Sequence, residues 1–253
     1  MPMRTPTSSE LLQLWESGFE RSAMERSLSL LTAAEPEFGY ARLARCTIGE
    51  RDSLLLELRE RLFGGELGGR ADCPQCGTSL ETHWTSSQLR ANLMAQPSHG
   101  AGSEAQPLEL VMPSHRIAYR LPNSEDLLAA GRAAEPAAMR QALLERCILS
   151  ASCDGQPIAN DMLGEDVVTA LETSMANADP MADIEIALQC PACDHRWSAT
   201  FDIASFLWSE LHSWAQRLLV DVHKLARAYG WSESDILALS PARRALYVEM
   251  SGS

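Results

Sequence analysis

The sequence predicts an α+β fold, mainly helical, in which two matching cysteine turns far apart in the chain close one split four-cysteine ribbon. Three observations carry this. The turns Cys73-Pro-Gln-Cys76 and Cys190-Pro-Ala-Cys193 repeat at an offset of 117 residues. Between them, short alternating segments are interleaved with helical periodicities, so a long α/β insertion separates the two knuckles. After the second turn, Ile203, Leu207, Leu211, Trp214, Leu218, Val222, Leu225 and Tyr229 recur at three- and four-residue steps. That stripe predicts one long C-terminal helix, followed by short ones.

Taken in order, Leu11, Leu12, Trp15, Phe19, Met24, Leu28 and Leu31 predict one helix over about Ser9 to Leu31, broken by the stretch around Pro36. A second helix runs from about Gly49 to Phe63. Thr47 is its N-cap, with Glu50 at the capping-box spacing, and Gly64-Gly65 stops it. The first knuckle and a short stretch with Trp84 follow. Residues 95–107 read as a flexible linker by composition. Leu108 to Met112 and Arg116 to Leu121 read as strands. Asn123 or Ser124 caps a helix to about Ala130, and two more run over about Pro136 to Leu149 and Gly164 to Asn177. Alternation of Ile184, Ile186 and Leu188 makes Asp183 to Leu188 a strand leading into the second knuckle. Gly230 ends the long helix. Trp231, Ser232, Asp235 and Ile236 form a hydrophobic staple around a capping-box variant, and Ser240-Pro241 opens the last helix.

The 253 residues are 45% hydrophobic, enough to bury a core, which excludes a fibrous or mainly disordered chain. Net charge is −13, which disfavours a general polyanion-binding surface. Lys224 is the single lysine, a codon-usage signal and not chemistry. No run approaches the roughly 20 apolar residues of a membrane helix, and the start has no apolar leader, so the chain is expected in the cytosol. Seven cysteines in that reducing compartment do not read as a disulfide framework.

Their spacing reads as metal ligation. A Cys-x-x-Cys turn bends the backbone until both thiolates face one point, and two turns complete a tetrahedral four-sulfur shell. The repeat extends past the cysteines: Leu80 matches Trp197, Trp84 matches Phe201 and Leu89 matches Phe206. Cys73, Cys76, Cys190 and Cys193 are therefore the expected ligands of one structural zinc ion, in a closed shell with no position left for water. Between Cys76 and Cys190 lie 113 residues, against about 15–20 in common ribbons. Closing the longer loop costs about 1.5 kcal/mol more. Structural zinc supplies about 10–16 kcal/mol, so the metal wins. His195 could stand in for a cysteine, or lie on the knuckle surface. Cys46, Cys147 and Cys153 read as core or surface thiols. His212 and His223 are three turns apart on one helix and cannot share a metal. Residues 123–185 hold 12 acidic and 3 basic side chains, a solvated face or a dock for a basic partner.

The stretch Thr47-Ile-Gly-Glu-Arg51-Asp52 into Leu54 to Gly64, the two knuckles, and Phe201-Asp202-Ile203 into Phe206-Leu207-Trp208 resemble one family. So does the ending Gly230-Trp231-Ser232 with Ile236-Leu237 and Leu239-Ser240-Pro241, which is also similar to phage tail assembly chaperones. It is the baseplate hub assembly family of T-even-type contractile phages, whose relatives accompany prophage tails and phage-tail-like injection machines. The resemblance covers about residues 40–250. It implies a non-enzymatic assembly factor, a chaperone or minor hub component, that binds hub, spike or other tail proteins and can enter the baseplate. It carries no catalytic residues over. The residues agree in kind: no phosphate-binding loop, nucleophile elbow or zincin motif occurs. Trp208, Trp231 and Tyr247, with the acidic 123–185 face, are the expected docking surface, and no nucleic acid, membrane or small-molecule substrate is expected.

Two other readings compete. A zinc-ribbon nucleic-acid binder or transcription-related adaptor needs basic residues around the knuckles. Arg70, Arg90 and Arg196 are instead interleaved with Glu66, Asp72, Glu81 and Asp194. A metalloenzyme needs an open ligand position and a nearby acid or base, for which only Asp194 and His195 are at hand. The expected organisation is an N-terminal helical segment (1–46), a helix with the first knuckle (47–94), the linker (95–107), an acidic, mostly helical insertion (108–182), and the second knuckle with the C-terminal helices (183–253).

Overall fold

Among the described residues, seven local caps decide where helices start. In the computed structural model, which describes residues 3–93, 107–133 and 135–252, five of them are complete capping boxes: Thr7 with Glu10, Ser22 with Glu25, Thr47 with Glu50, Thr85 with Gln88 and Asn123 with Asp126. Ser232 and Ser240 supply the other two. The elements are Ser8–Gly18 (α1), Ala23–Ala34 (α2), Gly39–Arg45 (α3), Ile48–Phe63 (α4), Glu66–Asp72 (β1), Ser79–Thr85 (β2) and Ser86–Leu93 (α5). Leu108–Val111 (β3), His115–Tyr119 (β4), Ser124–Ala130 (α6), Pro136–Cys147 (α7), Ile148–Cys153 (β5) and Gln156–Pro157 (β6) come next. Then follow Glu165–Ala178 (α8), Glu185–Gln189 (β7), Arg196–Thr200 (β8), Ile203–Tyr229 (α9), Glu233–Leu237 (α10) and Pro241–Ser251 (α11). The linker expected at 95–107 lies, but for Pro107, outside the described residues.

The chain gathers into two units, Met1–Glu37 with Ile203–Ser253, and Phe38–Asp202. The first is all helical. α9 buries Ile203, Leu207, Leu211, Ala215, Leu218, Val222 and Leu225. Around its second half, Leu12 and Ile236 complete a core against which Trp15, Trp214, Trp231 and Tyr247 pack partly exposed. Two details of the stripe differ from expectation. Ala215, not Trp214, takes the fully buried place, and Tyr229 is exposed. The single N-terminal helix expected over Ser9 to Leu31 is two helices. Trp208 lies so close to Gly18 that a Cβ there would stand 2.2 Å from its ring. The Ser22–Glu25 box then restarts the chain, and Arg26 Nε donates to the Gly18 carbonyl at 2.8 Å.

The described residues of the second unit form three antiparallel sheets: the hairpins β1-β2 and β7-β8, and a four-stranded sheet in the order β3-β4-β5-β6. Ile117, Tyr119, Ile148 and Ala151 of that sheet pack with Leu144 of α7 and with Val167, Val168 and Leu171 of α8. The helix expected to reach Leu149 stops at Cys147, because Ile148 turns extended (φ −78°, ψ 120°) and the chain pairs with β4. At the start of α4, Asp179 Oδ2 accepts the Gly49 N–H at 2.9 Å, so a carboxylate remote in sequence caps that helix beside the local Thr47 box.

Candidate metal centre

Each knuckle is the turn of a hairpin, and the two turns are built alike. β1 and β2 pair from Glu66↔Thr85 to Asp72↔Ser79. In the turn between them Cys73 N–H donates to Thr78 O, and Gly77 N–H to Cys73 O, both at 2.9 Å. β7 and β8 pair from Glu185↔Thr200 to Gln189↔Arg196. There Cys190 N–H donates to His195 O and Asp194 N–H to Cys190 O, again at 2.9 Å. The fourth residue past the first cysteine is left-handed in both, Gly77 at φ 73° and Asp194 at φ 56°. Asp is one of the few side chains that accept this conformation. The 117-residue repeat seen in the cysteines thus extends to strands and helices: β2 and β8 start at Ser79 and Arg196, α5 and α9 at Ser86 and Ile203.

The hairpins bring Cys73, Cys76, Cys190 and Cys193 together, with all four sulfurs within 4.8 Å of one another. Cys73 Sγ is 3.7 Å from Cys193 Sγ, and Cys76 Sγ is 3.5 Å from Cys190 Sγ. All four are free thiols, far beyond the roughly 2.05 Å of a disulfide. A tetrahedral ion with metal–sulfur bonds near 2.3 Å would set the sulfurs about 3.8 Å apart. The cluster can therefore hold a metal with little adjustment. Exchanging Cys73 with Cys190 and Cys76 with Cys193 maps each close pair onto the other, so the site has an approximate two-fold relation. Cys73 and Cys190 are buried, Cys193 is half-buried and Cys76 is exposed.

Proton affinities across the cluster are split. Hydrogen bonds from the Thr78 hydroxyl, whose Oγ1 is 3.2 Å from Cys76 Sγ, and from the Thr78 amide bring the Cys76 thiol down to about 6. At Cys193 the His195 amide also favours the thiolate, but burial and the three neighbouring sulfurs outweigh it and push the thiol up to about 12. Four crowded thiols surrender protons unevenly, and a divalent cation bound among them would let all four ionise together.

A model of the T4 bacteriophage base plate protein family matches residues 37–208, about two thirds of the chain and the whole of the second unit. The chain belongs to this family. Membership places it among structural or assembly proteins of a phage tail, which bind other tail proteins. Neither the search of curated proteins nor that of solved structures found a match. No described helix of this baseplate protein is long and apolar enough to cross a membrane.

Among the described residues the other candidate ligands stay outside the cluster. His195 stacks on Trp197, ring centroids 5.8 Å apart. Cys46 lies 3.6 Å from the Arg42 carbonyl, and Cys147 is buried. His212 Nδ1 accepts from Trp15 Nε1 at 3.0 Å. Sequence reasoning missed Thr78; the signal was its match to His195 across the repeat, both closing a knuckle turn. It also missed Asp126, buried between Arg120 and Arg146, although Asn123-x-x-Asp126 has capping-box spacing.

Proposed function

We propose that the protein is a non-enzymatic assembly factor of a contractile tail baseplate, a chaperone or minor hub component, stabilised by one zinc ion on Cys73, Cys76, Cys190 and Cys193. The observation that carries this is the coincidence of the family match with the unit that contains the four-sulfur cluster. Zinc suits four soft thiolates at this spacing, and four protein ligands leave no position for a reacting water. A split zinc ribbon clamps both ends of the insertion, leaving the rest of the surface for hub, spike or other tail proteins. The arginines near the knuckles are not gathered into a nucleic-acid face: Arg70 pairs with Glu81 at 3.3 Å and Arg90 with Glu60 at 2.6 Å. Assembly would take place in the cytoplasm of the producing cell, before or during incorporation into the baseplate.

The test is capture of the tagged full chain from cells expressing the whole tail gene cluster, together with deletion of its gene. Recovery of a hub, spike or tube protein, and defective particles in the deletion strain, are expected. Recovery of no tail protein, with normal particles from the deletion strain, would overturn the reading.

A further inference from the structure

The second unit carries an apolar groove that the metal centre does not use. It has a volume of about 420 Å³ and lies between α7 and α8, lined by Pro122, Met139, Leu143 and Met175 among others. That is near the lower end of ligand pockets, roughly 300–1,000 Å³, a space for one or two bulky side chains. Met139, Leu143 and Cys147 stand four residues apart along α7, so its groove-facing stripe is helical. Met139 is 37% exposed, and methionine pairs adapt to varied apolar partners. Arg140 also lines the groove, but its charge is already taken, by Glu172 at 2.5 Å and Glu165 at 2.8 Å.

Taken together, the two helices that form the groove are net acidic. α8 carries Glu165, Asp166 and Glu172 and no basic residue. On α7, Arg146 is bound to buried Asp126, as Arg140 is to its two glutamates. Glu135, Glu145 and Asp166 remain exposed. An apolar slot in an acidic surround discriminates against acidic partners and draws basic ones.

We infer that this groove receives a bulky apolar side chain from a basic helix of another tail protein. The inference rests on the assembly reading above and deepens it, because it says what the partner must present: an apolar anchor with Lys or Arg within about two turns on either side. The anchor gives the residence time, and the basic flanks give the encounter rate.

The test places a benzophenone amino acid at Met139 of the full chain, co-expressed with the tail gene cluster. Photo-crosslinking is expected to join it to a tail-protein segment with an apolar anchor and at least two flanking Lys or Arg. A synthetic peptide of that segment should bind the full chain about tenfold more weakly after Leu143→Glu or Met139→Glu, and more weakly in raised salt. Met139 is exposed, so Met139→Glu leaves the fold intact, which an unchanged melting temperature would verify. A crosslink within the same chain, to a second copy, or to an acidic segment would overturn the inference. So would equal binding of the peptide by the Met139→Glu chain. If tagged chains with and without Met139→Glu capture the same tail protein equally, the groove fails while the assembly reading stands. If neither captures one, both fail.

Discussion

Asp126 and Asp52 are both buried carboxylates, and their surroundings treat them oppositely. Asp126 accepts from Arg120 Nη2 at 2.9 Å, Arg146 Nε at 2.7 Å and its own N-cap amide, Asn123, at 3.0 Å. Burial works against its charge, but these donors more than compensate and hold the carboxyl below the usual range. Its contribution is therefore present above the unfolded value, near 4, and is lost as pH falls through the lower folded value. Asp126→Ala should lower stability by about 3 kcal/mol, read from urea unfolding at neutral pH, because both arginines lose their shared partner and α6 its capping box. At Asp52, burial pushes the carboxyl up to about 6, and Arg51, bonded at 2.7 Å, offsets only part of this. Asp179 and Asp202 push the same way as burial. Between about pH 4 and 6 the unfolded chain has released this proton and the folded one retains it, so stability falls as pH rises across that window. Melting temperatures of the wild type and Asp52→Asn, compared from pH 4 to 7, should show the wild type losing ground relative to the variant with rising pH. A constant difference would contradict this.

α4 is set in place by something besides its own apolar pattern, whereas α9 is held by its buried stripe. Gly49, at the start of α4, touches Asp179: a Cβ there would stand 1.8 Å from Oδ1. Gly49→Ala should cost about 2–3 kcal/mol in denaturant unfolding, because the carboxylate must move and the α4 N-terminus loses its remote cap. Along α9, Leu218→Ala should cost about 3 kcal/mol and Trp214→Ala less, since Leu218 is fully enclosed and Trp214 is half-exposed. A larger loss for Trp214 would mean that the indole, and not the leucine, holds the helix. These elements also show what a sequence displays. The boundaries of α4, α6 and α9 were legible because Thr47, Asn123 and Gly230 mark them by local chemistry. The break after Gly18 was missed although the Ser22-x-x-Glu25 box marks the restart, whereas Trp208, 190 residues away, which occupies the space beside Gly18, leaves no local signal. α3 carries no side-chain cap, and β5 begins within an apolar run that fits helix and strand alike. The four cysteines were legible as a set because spacing alone brings thiols together. The groove beside α7 was not, since its walls come from separate segments whose approach no local pattern encodes.

For the whole molecule, the four sulfurs tie residue 73 to residue 193, so the metal should govern the cooperativity of the second unit. Elemental analysis should return about one zinc per chain, and Cys190→Ser should remove most of it and lower stability by several kcal/mol. A zinc-free preparation, made without chelator and fully folded, would contradict this. The helical first unit, with its own core around Leu218 and Leu225, should keep its helical signal longer than the second as chelator is added. The two-fold relation of the cysteines has a consequence of its own. Each hairpin owns half of the ligands and is blind to which chain supplies the other half. Complementary halves in one polypeptide are also complementary between two polypeptides. Below roughly millimolar concentration the tethered half wins, since it is always near. Refolded from denaturant at higher concentration with limiting metal, the chain should exchange halves with a second copy. A dimer of reciprocally shared ions would then form, as durable as the monomer and separable from it only by unfolding or by stripping the metal.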